Sequence, residues 1–276
     1  MPSSALQEIV EYRGIEGLVA ARILTDDDVS GYTTGSVFAI AGVAEASKSS
    51  DGSTETKFYD NMPAIVIMSQ GSDTVNFNVS AIPLDVQAEL LGIDYDSTTG
   101  ALVESNRQLR YFAVGYQTKK TNGDIMYVWR YKGTFSTPDE TNSTENDGTD
   151  SNGQTLTYTG IQTTHKFSKY GKGARSMVVD TSKHLANVSN FFSSVTTPDT
   201  LVAATAYKLT ITQASDTVVT VKRRGETLAN NADIYAGDEL KISVTGGTIT
   251  VNGTDFISGD IHVVAGATAV VSTKTT

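Results

Sequence analysis

Residues 75–92 read Val75-Asn76-Phe77-Asn78-Val79-Ser80-Ala81-Ile82-Pro83-Leu84-Asp85-Val86-Gln87-Ala88-Glu89-Leu90-Leu91-Gly92. The apolar residues Val75, Phe77 and Val79 alternate with polar ones, which is typical of a β-strand with one buried and one solvated face. The polar positions on the second face are Thr74, Asn76, Asn78 and Ser80. The stretch predicts a half-buried strand, and a composition rich in Val, Ile, Tyr, Phe and Thr indicates a mainly β fold around it.

A short helix is predicted directly after this strand. Pro83 fits the first helical turn, where its missing N–H costs nothing, and Gly92 fits the left-handed position just past the last turn. Asp85 complements the positive end of the helix dipole. Three apolar residues recur at i, i+4 and i+7 and predict one buried stripe, formed by Leu84, Ala88 and Leu91.

The segments before the strand alternate between apolar and polar stretches. In chain order we predict a strand at residues 9–24, a break at Asp26-Asp27-Asp28, a strand at residues 37–46, a polar loop at Ser47–Ser53 that closes on Asp51-Gly52, a short apolar run at residues 64–68 and a turn at Gln70–Asp73. Gly14 and Gly17 interrupt the first segment and favour a strand over a helix there.

A β-hairpin is predicted after the helix. Residues 109–118 and 124–135 read as paired strands, and the Asn122-Gly123 pair between them is the strongest short hairpin signal. The second strand carries the only tryptophan, Trp129, which we assign to the core rather than to a ligand platform. The chain continues with a long acidic loop at residues 138–153, strands at Thr155–Thr163 and Ser176–Val179, and a helix at residues 182–195.

The best domain boundary in the chain is the small polar linker Thr196–Thr200, which contains Pro198. It predicts one domain at residues 1–197 and a second at residues 198–276. From residue 206 onward short strands follow one another with Gly-containing turns between them, a spacing that predicts a small β-sandwich. Its predicted strands are Tyr207–Thr212, Thr217–Arg223, Leu240–Thr245, Thr248–Asn252, Ile261–Val264 and Ala269–Thr273.

The composition narrows the classes of function. There is no cysteine, which removes disulfides, thiol nucleophiles and thiolate metal ligands. The net charge is −10, and it lies mostly in residues 1–199, which hold 15 basic and 24 acidic residues against 6 and 7 in residues 200–276. An acidic surface repels phosphate, which argues against a nucleic-acid binder but not against a surface that DNA passes. Simple solubility explains the same charge.

The first residues lack the basic and apolar regions of a secretory signal, and no stretch reaches the roughly 20 apolar residues of a membrane helix. We therefore expect a soluble chain that is made in a cytoplasm and does not contact a membrane.

No catalytic or metal-binding constellation emerges from the sequence. His165, His184 and His262 are far apart, and no nucleophile elbow is present, so we predict a protein that is not an enzyme and has no cofactor, metal or catalytic residue. The carboxylate groups at Asp26–Asp28, Asp139-Glu140 and Asp238-Glu239 are assigned to turns, where Asp caps the backbone.

Two further polar clusters keep two interpretations each. Asp147, Asp150 and Asn152 offer oxygens to Ca²⁺, although their spacing matches no EF-hand, and a solvated loop is the competing interpretation. The only basic triplet, Lys222-Arg223-Arg224, is either a contact for an anionic cell-wall polymer or a solvated strand end.

Four stretches between about Phe58 and Val195 resemble a known protein family. They are Val75–Gly92, Phe112–Gly123, Tyr127–Pro138 and Asn190–Val195. In this order they resemble the phi13-type major tail protein family, the major tail tube proteins of siphophages that infect Gram-positive hosts. Family members usually carry more Glu and fewer Asn-Gly pairs in the loop that corresponds to residues 138–153.

This resemblance implies a tail-tube fold of two packed β-sheets flanked by a short helix. It implies a structural virion protein that assembles with itself into stacked hexameric rings, whose long hairpins form an inner β-barrel through which DNA passes without specific binding. The other implied partners are the tape measure, tail terminator and distal tail proteins of the phage, and the implied place of synthesis is the host cytoplasm. We expect the N-terminal arm and the loop at residues 138–153 to contact the next ring, because flexible segments can order on stacking.

The C-terminal part resembles small β-repeat modules of bacterial surface proteins. The likeness rests on Val218–Leu228, Tyr235–Ile242 and Thr250–Gly253. Phage tail tubes often carry an immunoglobulin-like decoration of this kind on the outside, so residues 198–276 are expected to project from the tube. Two alternatives stay open: the chain is a bacterial cell-surface or glycan-binding adhesin, or the outer domain binds host cell-wall glycan as part of a phage.

Overall fold

The computed structural model describes residues 9–141 and 153–275. The chain divides into two compact units, the first formed by Met1–Asp180 with Ser189–Leu201 and the second by Thr181–Val188 with Val202–Thr276. Strands dominate both units, which confirms the prediction of a mainly β fold. Among the described residues, no helix is long and apolar enough to cross a membrane.

The first unit is built on one extended sheet. Its strands are β1 (Tyr12–Asp27), β2 (Gly31–Thr34), β3 (Phe38–Ala39), β4 (Val43–Tyr59), β5 (Met62–Val79), β6 (Asp94–Asp96), β7 (Ala101–Val103), β8 (Phe112–Lys120), β9 (Ile125–Phe135), β10 (Asp139–Glu140), β11 (Gln154–Gly160) and β12 (Ser176–Asp180). The main path runs β2-β1-β8-β9-β11-β5-β4, with β3 beside β1, β10 beside β11 and β12 beside β9. Strands β6 and β7 form a separate hairpin.

The two halves of this sheet bury a common core. Ala20 of β1 and Val114 of β8 come from one half, Phe77 of β5 and Leu156 of β11 from the other, and all four side chains are fully buried. The sheet passes from β9 to β11 where Gly133 pairs with Gly160. A Cβ atom at Gly133 would lie 2.3 Å from the Tyr158 ring, so the close approach of the two strands requires glycine there.

The strand and helix predicted at residues 75–92 are both present. Val75, Phe77 and Val79 of β5 are buried, and the helix α1 spans Leu84–Leu91. Gly92 ends the helix in the left-handed conformation with φ 66°, as predicted. The predicted stripe is wrong at Leu84, which is 47% exposed, and the buried residues of the helix are Ala88, Leu90 and Leu91.

The predicted loop at Ser47–Ser53 and turn at Gln70–Asp73 are wrong, because β4 and β5 pair continuously from Val43–Val79 to Tyr59–Met62. The irregularity that reads as a turn is a β-bulge, at which Asp51 faces Gly71 and Ser72. The chain reverses instead at Asp60-Asn61, whose φ angles of 50° and 64° fit a tight hairpin turn.

Two other predicted elements are shorter or interrupted. The strand predicted at residues 37–46 is divided into β3 and the start of β4. The loop predicted at residues 138–153 begins with the short strand β10, which pairs with β11, since Asp139 and Glu140 face Thr155 and Gln154 across the ladder. The predicted contact segments at residues 1–8 and 142–152 lie outside the described residues.

The predicted hairpin of β8 and β9 is present, and Trp129 is fully buried as predicted. The Trp129 Nε1–H donates to the Phe191 carbonyl at 2.9 Å, and the Trp129 ring packs on Phe192. The helix predicted at residues 182–195 is wrong: a single 3-10 turn covers Thr181–Lys183 and irregular turns follow. The packing of Phe191 and Phe192 on the aromatic face of β9 overrides the local helical spacing.

The second unit contains two small sheets. Its strands are β13 (Tyr207–Thr212), β14 (Val218–Arg223), β15 (Glu226–Leu228), β16 (Asp233–Ile234), β17 (Glu239–Thr245), β18 (Gly247–Val251), β19 (Thr254–Phe256), β20 (Ile261–Val263) and β21 (Ala269–Thr275). One sheet has the order β16-β13-β21-β18-β19 and the other β15-β14-β17-β20. Leu209, Val271, Val221 and Ile242 share one fully buried core between the sheets, which is a β-sandwich arrangement.

Three carboxylates hold a surface loop of the first unit. Asp26 accepts hydrogen bonds from Lys132 Nζ and from the N–H groups of Thr164 and His165, the latter two at 3.0 and 2.9 Å. Asp28 accepts the N–H of Lys166, and Asp199 accepts those of Ser168 and Lys169. Burial raises the pKa of Asp26, but these hydrogen bonds and the Lys132 charge outweigh it and place the pKa below its usual value.

The two ends of helix α1 provide a matched test of the core. Leu90→Ala removes a side chain that is 3% exposed, and Leu84→Ala removes one that is 47% exposed. We expect Leu90→Ala to lower the free energy of unfolding by about 2–4 kcal/mol and Leu84→Ala by less than about 1 kcal/mol. Urea unfolding followed by circular dichroism measures both, and equal losses would contradict the observed packing of the helix.

Asp26 gives a pH-dependent prediction. Because its pKa is lowered on folding, its carboxylate contributes stability above the unfolded pKa of about 3.9, and this contribution is lost as the pH falls through the lower folded pKa. Asp26→Asn should therefore cost about 1–3 kcal/mol at pH 7 and less at about pH 2.5, where the Asp26 carboxylate is more protonated. Urea unfolding at both pH values tests this, with Asp60→Asn in the exposed hairpin turn as control; a loss independent of pH would exclude the carboxylate as its source.

Candidate assembly surface

The hairpin of β4 and β5 leaves the core after Ser50 and Asp73. We call residues 51–71, beyond this point, the ribbon. Every side chain of the ribbon that the structure describes is exposed. At about 3.3 Å per residue, each strand of the ribbon is about 30 Å long.

The ribbon carries a dense group of exposed apolar side chains. They are between 49% and 77% exposed and comprise Phe58, Tyr59, Met62, Ile65, Val66, Ile67 and Met68. A two-stranded ribbon alone is marginally stable in water, and contiguous exposed apolar surface of this kind marks an interaction site. The ribbon is therefore the strongest candidate for a contact with another protein surface.

Register divides the ribbon into two faces, because directly paired residues of an antiparallel ladder point the same way. The charged face contains Ser53, Glu55, Lys57 and Tyr59 of β4 and Met62, Ile65, Ile67 and Ser69 of β5. The uncharged face contains Thr54, Thr56, Phe58, Pro63, Val66 and Met68. Both faces bear apolar side chains, and the charged face adds the ion pair of Glu55 with Lys57.

The main sheet also has unpaired edges within the described residues. Strand β4 is the last strand at one end of the sheet path, and β10 and β12 each pair on one side only. An unpaired edge exposes a row of backbone N–H and C=O groups that can pair with a strand of another chain. The ribbon and these edges lie in the same unit.

A different surface lies on the solvent side of β4, β5 and β11, opposite the core. We call it the polar wall; its paired positions are Ser47, Ser49, Thr74, Asn76, Asn78, Thr155, Thr157 and Thr159. Their polar groups bond to one another across the strands: Thr155 Oγ1 donates to Asn78 Oδ1 at 3.0 Å, and Thr157 Oγ1 donates to Asn76 Oδ1 at 2.8 Å.

The charges at the edges of the polar wall are acidic. Glu45 pairs with Asn78 in the ladder and accepts its Nδ2–H at 3.0 Å, and Asp139 pairs with Thr155. None of the paired positions of the wall is Lys or Arg, the side chains that hold phosphate. None is a large apolar or aromatic side chain either, which is what the centre of a protein interface needs.

The structure separates the three histidines that the sequence singled out. His165 Nδ1 lies 3.1 Å from the Asp27 carbonyl oxygen, His184 Nδ1 lies 2.7 Å from Asp238 Oδ1, and His262 packs edge-on against Phe256. Each makes a local contact within its own unit, and no nucleophile is paired with any of them by these contacts. Among the described residues, no group of three or more His, Cys, Asp or Glu side chains is placed to hold a metal ion.

The acidic and basic clusters have structural partners. The assignment of the carboxylates to turns holds for Asp27, which accepts the N–H of Val29, and is wrong for Asp26 and for Asp139-Glu140, which lie in β1 and β10. Asp26 and Asp28 instead accept backbone N–H groups of the loop at residues 164–166. Asp238 is 1% exposed and forms an ion pair with Arg223 at 2.9 Å. The basic triplet therefore does not act as one exposed patch, because Arg223 is held by Asp238 while Lys222 is exposed. Asp147, Asp150 and Asn152 lie outside the described residues.

The comparison with known families agrees with this geometry. The sequence model of the phage tail tube protein family matches residues 17–196, which include the ribbon, the polar wall and all of the extended sheet except the first residues of β1. No curated protein matches the chain. Residues 202–276, which form most of the second unit, lie outside the matched range. Because the match covers well over half of the sequence, this chain belongs to the phage tail tube protein family.

Proposed function

We propose that this chain is the major tail tube subunit of a non-contractile, long-tailed phage and that it assembles into stacked hexameric rings. The main observation in support of this proposal is the ribbon. An extended hairpin that buries nothing within its own unit is costly to keep in water, and the apolar side chains of residues 58–68 gain stability only when another surface covers them. Membership of the phage tail tube protein family supports a second copy of this chain as that surface.

Closed rings account for the unpaired edges as well. In a cyclic assembly each subunit presents one edge to one neighbour and the opposite edge to the other. The edges of β4, β10 and β12 would then be paired in the ring rather than open to aggregation. The protein works by self-assembly and carries out no reaction.

The polar wall fits the conduit for DNA. A wall of hydroxyl and amide groups, some of them bonded to one another, with acidic residues at its edges, offers phosphate no cation to pair with. We propose that this wall faces the lumen and that DNA passes it without specific contacts. The tape measure, tail terminator and distal tail proteins would meet the tube at its interior and ends.

We propose further that residues 198–276 form an immunoglobulin-like decoration on the outside of the tube. The observed two-sheet sandwich with its own core supports a domain that folds around its own side chains. The subunit would be made in the cytoplasm of the host bacterium and function in the virion.

The apolar content of the ribbon is tested with substitutions to Thr. Replacing Ile65, Val66, Ile67 and Met68 with Thr keeps the length and the β-propensity of the strand but removes apolar contact area. We expect this variant to stay folded and monomeric, whereas the wild type forms rings or tubes in negative-stain electron microscopy and sedimentation velocity.

The control replaces Ile65, Ile67 and Met68 with Val and keeps Val66, so that all four positions have the shape of Thr without the hydroxyl group, and this variant should still assemble. Tubes formed by the Thr variant would show that the ribbon does not drive assembly. A wild-type chain that stays monomeric at all concentrations would contradict the proposed function itself.

The polar wall is tested by adding a positive charge. Asn76→Lys places a cation in every subunit of the proposed lumen, so assembled tubes should retain short duplex DNA at low salt and release it as salt rises. Wild-type tubes should retain none. Thr254→Lys, an exposed position in the second unit, is the matched control. Equal DNA retention by both lysine variants would place the wall elsewhere than in the lumen.

A further inference from the structure

An open groove of about 580 Å³ lies between the two halves of the main sheet in the first unit. Its lining includes Tyr12 and Ile15 from β1, Lys48 from β4, Arg130 from β9 and Val178 from β12. Tyr12 is 69% exposed and Val178 is 50% exposed, so the groove offers apolar surface at its rim. The strands that border it include β4 and β12, each of which has an unpaired edge among the described residues.

The floor of the groove has an excess of positive charge. Asp73 is 4% exposed and is the shared partner of three cations: Lys48 Nζ at 3.4 Å, Arg130 Nη1 at 3.4 Å and Arg175 Nη1 at 3.2 Å. Lys48 and Arg130 line the groove, as does Glu45, so the five groups Lys48, Arg130, Arg175, Asp73 and Glu45 together have a net charge of +1. Glu45, which also lines the groove, has its carboxylate engaged by Asn78 on the polar wall.

The three cations differ in accessibility. The Arg130 side chain is 7% exposed, its Nη1 and Nη2 atoms bond to Asp73 and Tyr116, and its enclosed Nε–H has no hydrogen-bond partner among the described residues. The Lys48 side chain is 45% exposed, so its ammonium group is the cation that a further anionic oxygen can reach.

The ribbon has the complementary chemistry. Asp51, Glu55 and Asp60 against Lys57 give it a charge of −2. On its charged face Glu55 is paired with Ile67 across the ladder, and Ile65 is the next apolar residue on that face. The carboxylate of Glu55 lies between aliphatic side chains and forms an ion pair with Lys57 on the same face, so a cation of the groove would share or replace Lys57 as its partner.

We infer that the groove is the docking site for the charged face of the ribbon of a second copy of this chain, with Glu55 directed to Lys48, the accessible member of the cation cluster. The inference rests on the proposed self-assembly and adds to it the receiving surface, the face of the ribbon and the ion pairs that fix its position. A small anion alone would satisfy the cluster but would leave Val178, Tyr12 and the ribbon exposed.

The absence of cysteine from the sequence allows a direct cross-linking experiment. Ile67→Cys and Val178→Cys are made in separate chains, mixed under assembly conditions and oxidised. We expect a covalent dimer that contains one chain of each kind. The control is Val66→Cys mixed with Val178→Cys, because Val66 is adjacent in sequence, is similarly exposed and lies on the opposite face of the ribbon.

A dimer from the Ile67 pair alone supports the inference. Equal yields from the two mixtures would overturn the assignment of the face, and no dimer in tubes that are visible by electron microscopy would overturn the docking site while leaving the proposed function intact. If the wild type forms no tubes, the proposed function fails, and the dimer yield in solution still tests the groove.

Charge exchange tests the ion pair independently. Lys48→Glu and Glu55→Lys alter exposed or half-exposed side chains, so the fold should persist by circular dichroism. Each single variant should lower the yield of tubes at least about ten-fold, and the double variant should recover most of it. Lys172→Glu, at an exposed lysine that does not line the groove, should leave the yield unchanged. Failure of the double variant to recover would exclude the pairing of Glu55 with this cluster.

Discussion

The pairing of β4 with β5 along their whole length is the interaction on which the other features of the first unit depend. Its base supplies Val75, Phe77 and Val79 to the core, and its solvent side supplies most of the polar wall. Its tip is the ribbon. The bulge at Asp51 keeps the ladder continuous, and Gly71 is required there because a Cβ atom would lie 2.4 Å from the Asp51 carbonyl oxygen.

Continuity along this hairpin connects folding with assembly. From Glu45 to Tyr59 the side chains of β4 alternate without interruption, so the side that holds Ser47 and Ser49 in the wall continues as the charged face of the ribbon. The side that faces the core at Ala46 continues as the uncharged face. A chain that folds its own core correctly thereby also fixes how the two faces of its ribbon are oriented for a neighbour.

The strands and turns with strong local signals could be predicted from the sequence. The alternation of Val75 to Val79, the capping of α1 by Gly92 and the Asn122-Gly123 hairpin all depend on neighbouring residues. The local sequence could not show that residues 182–195 do not form a helix, because the conformation there depends on the packing of Phe191 on β9, which is distant in sequence.

The ribbon was missed for a related reason: its Ser- and Thr-rich first strand buries nothing, so it lacks the apolar alternation by which strands are recognised. The apolar run at residues 64–68 was the available signal. The cation cluster around Asp73 joins residues far apart in sequence, so no local spacing reveals it.

Hydrogen exchange of the ribbon amides in unassembled subunits and in assembled tubes tests the central claim most directly. The account predicts that backbone amides of residues 52–70 exchange at least about 100-fold more slowly in tubes, because a second copy covers the ribbon, while amides of the core strand β9 change little. Equal exchange of the ribbon amides in both states would contradict the claim that the ribbon is the assembly element.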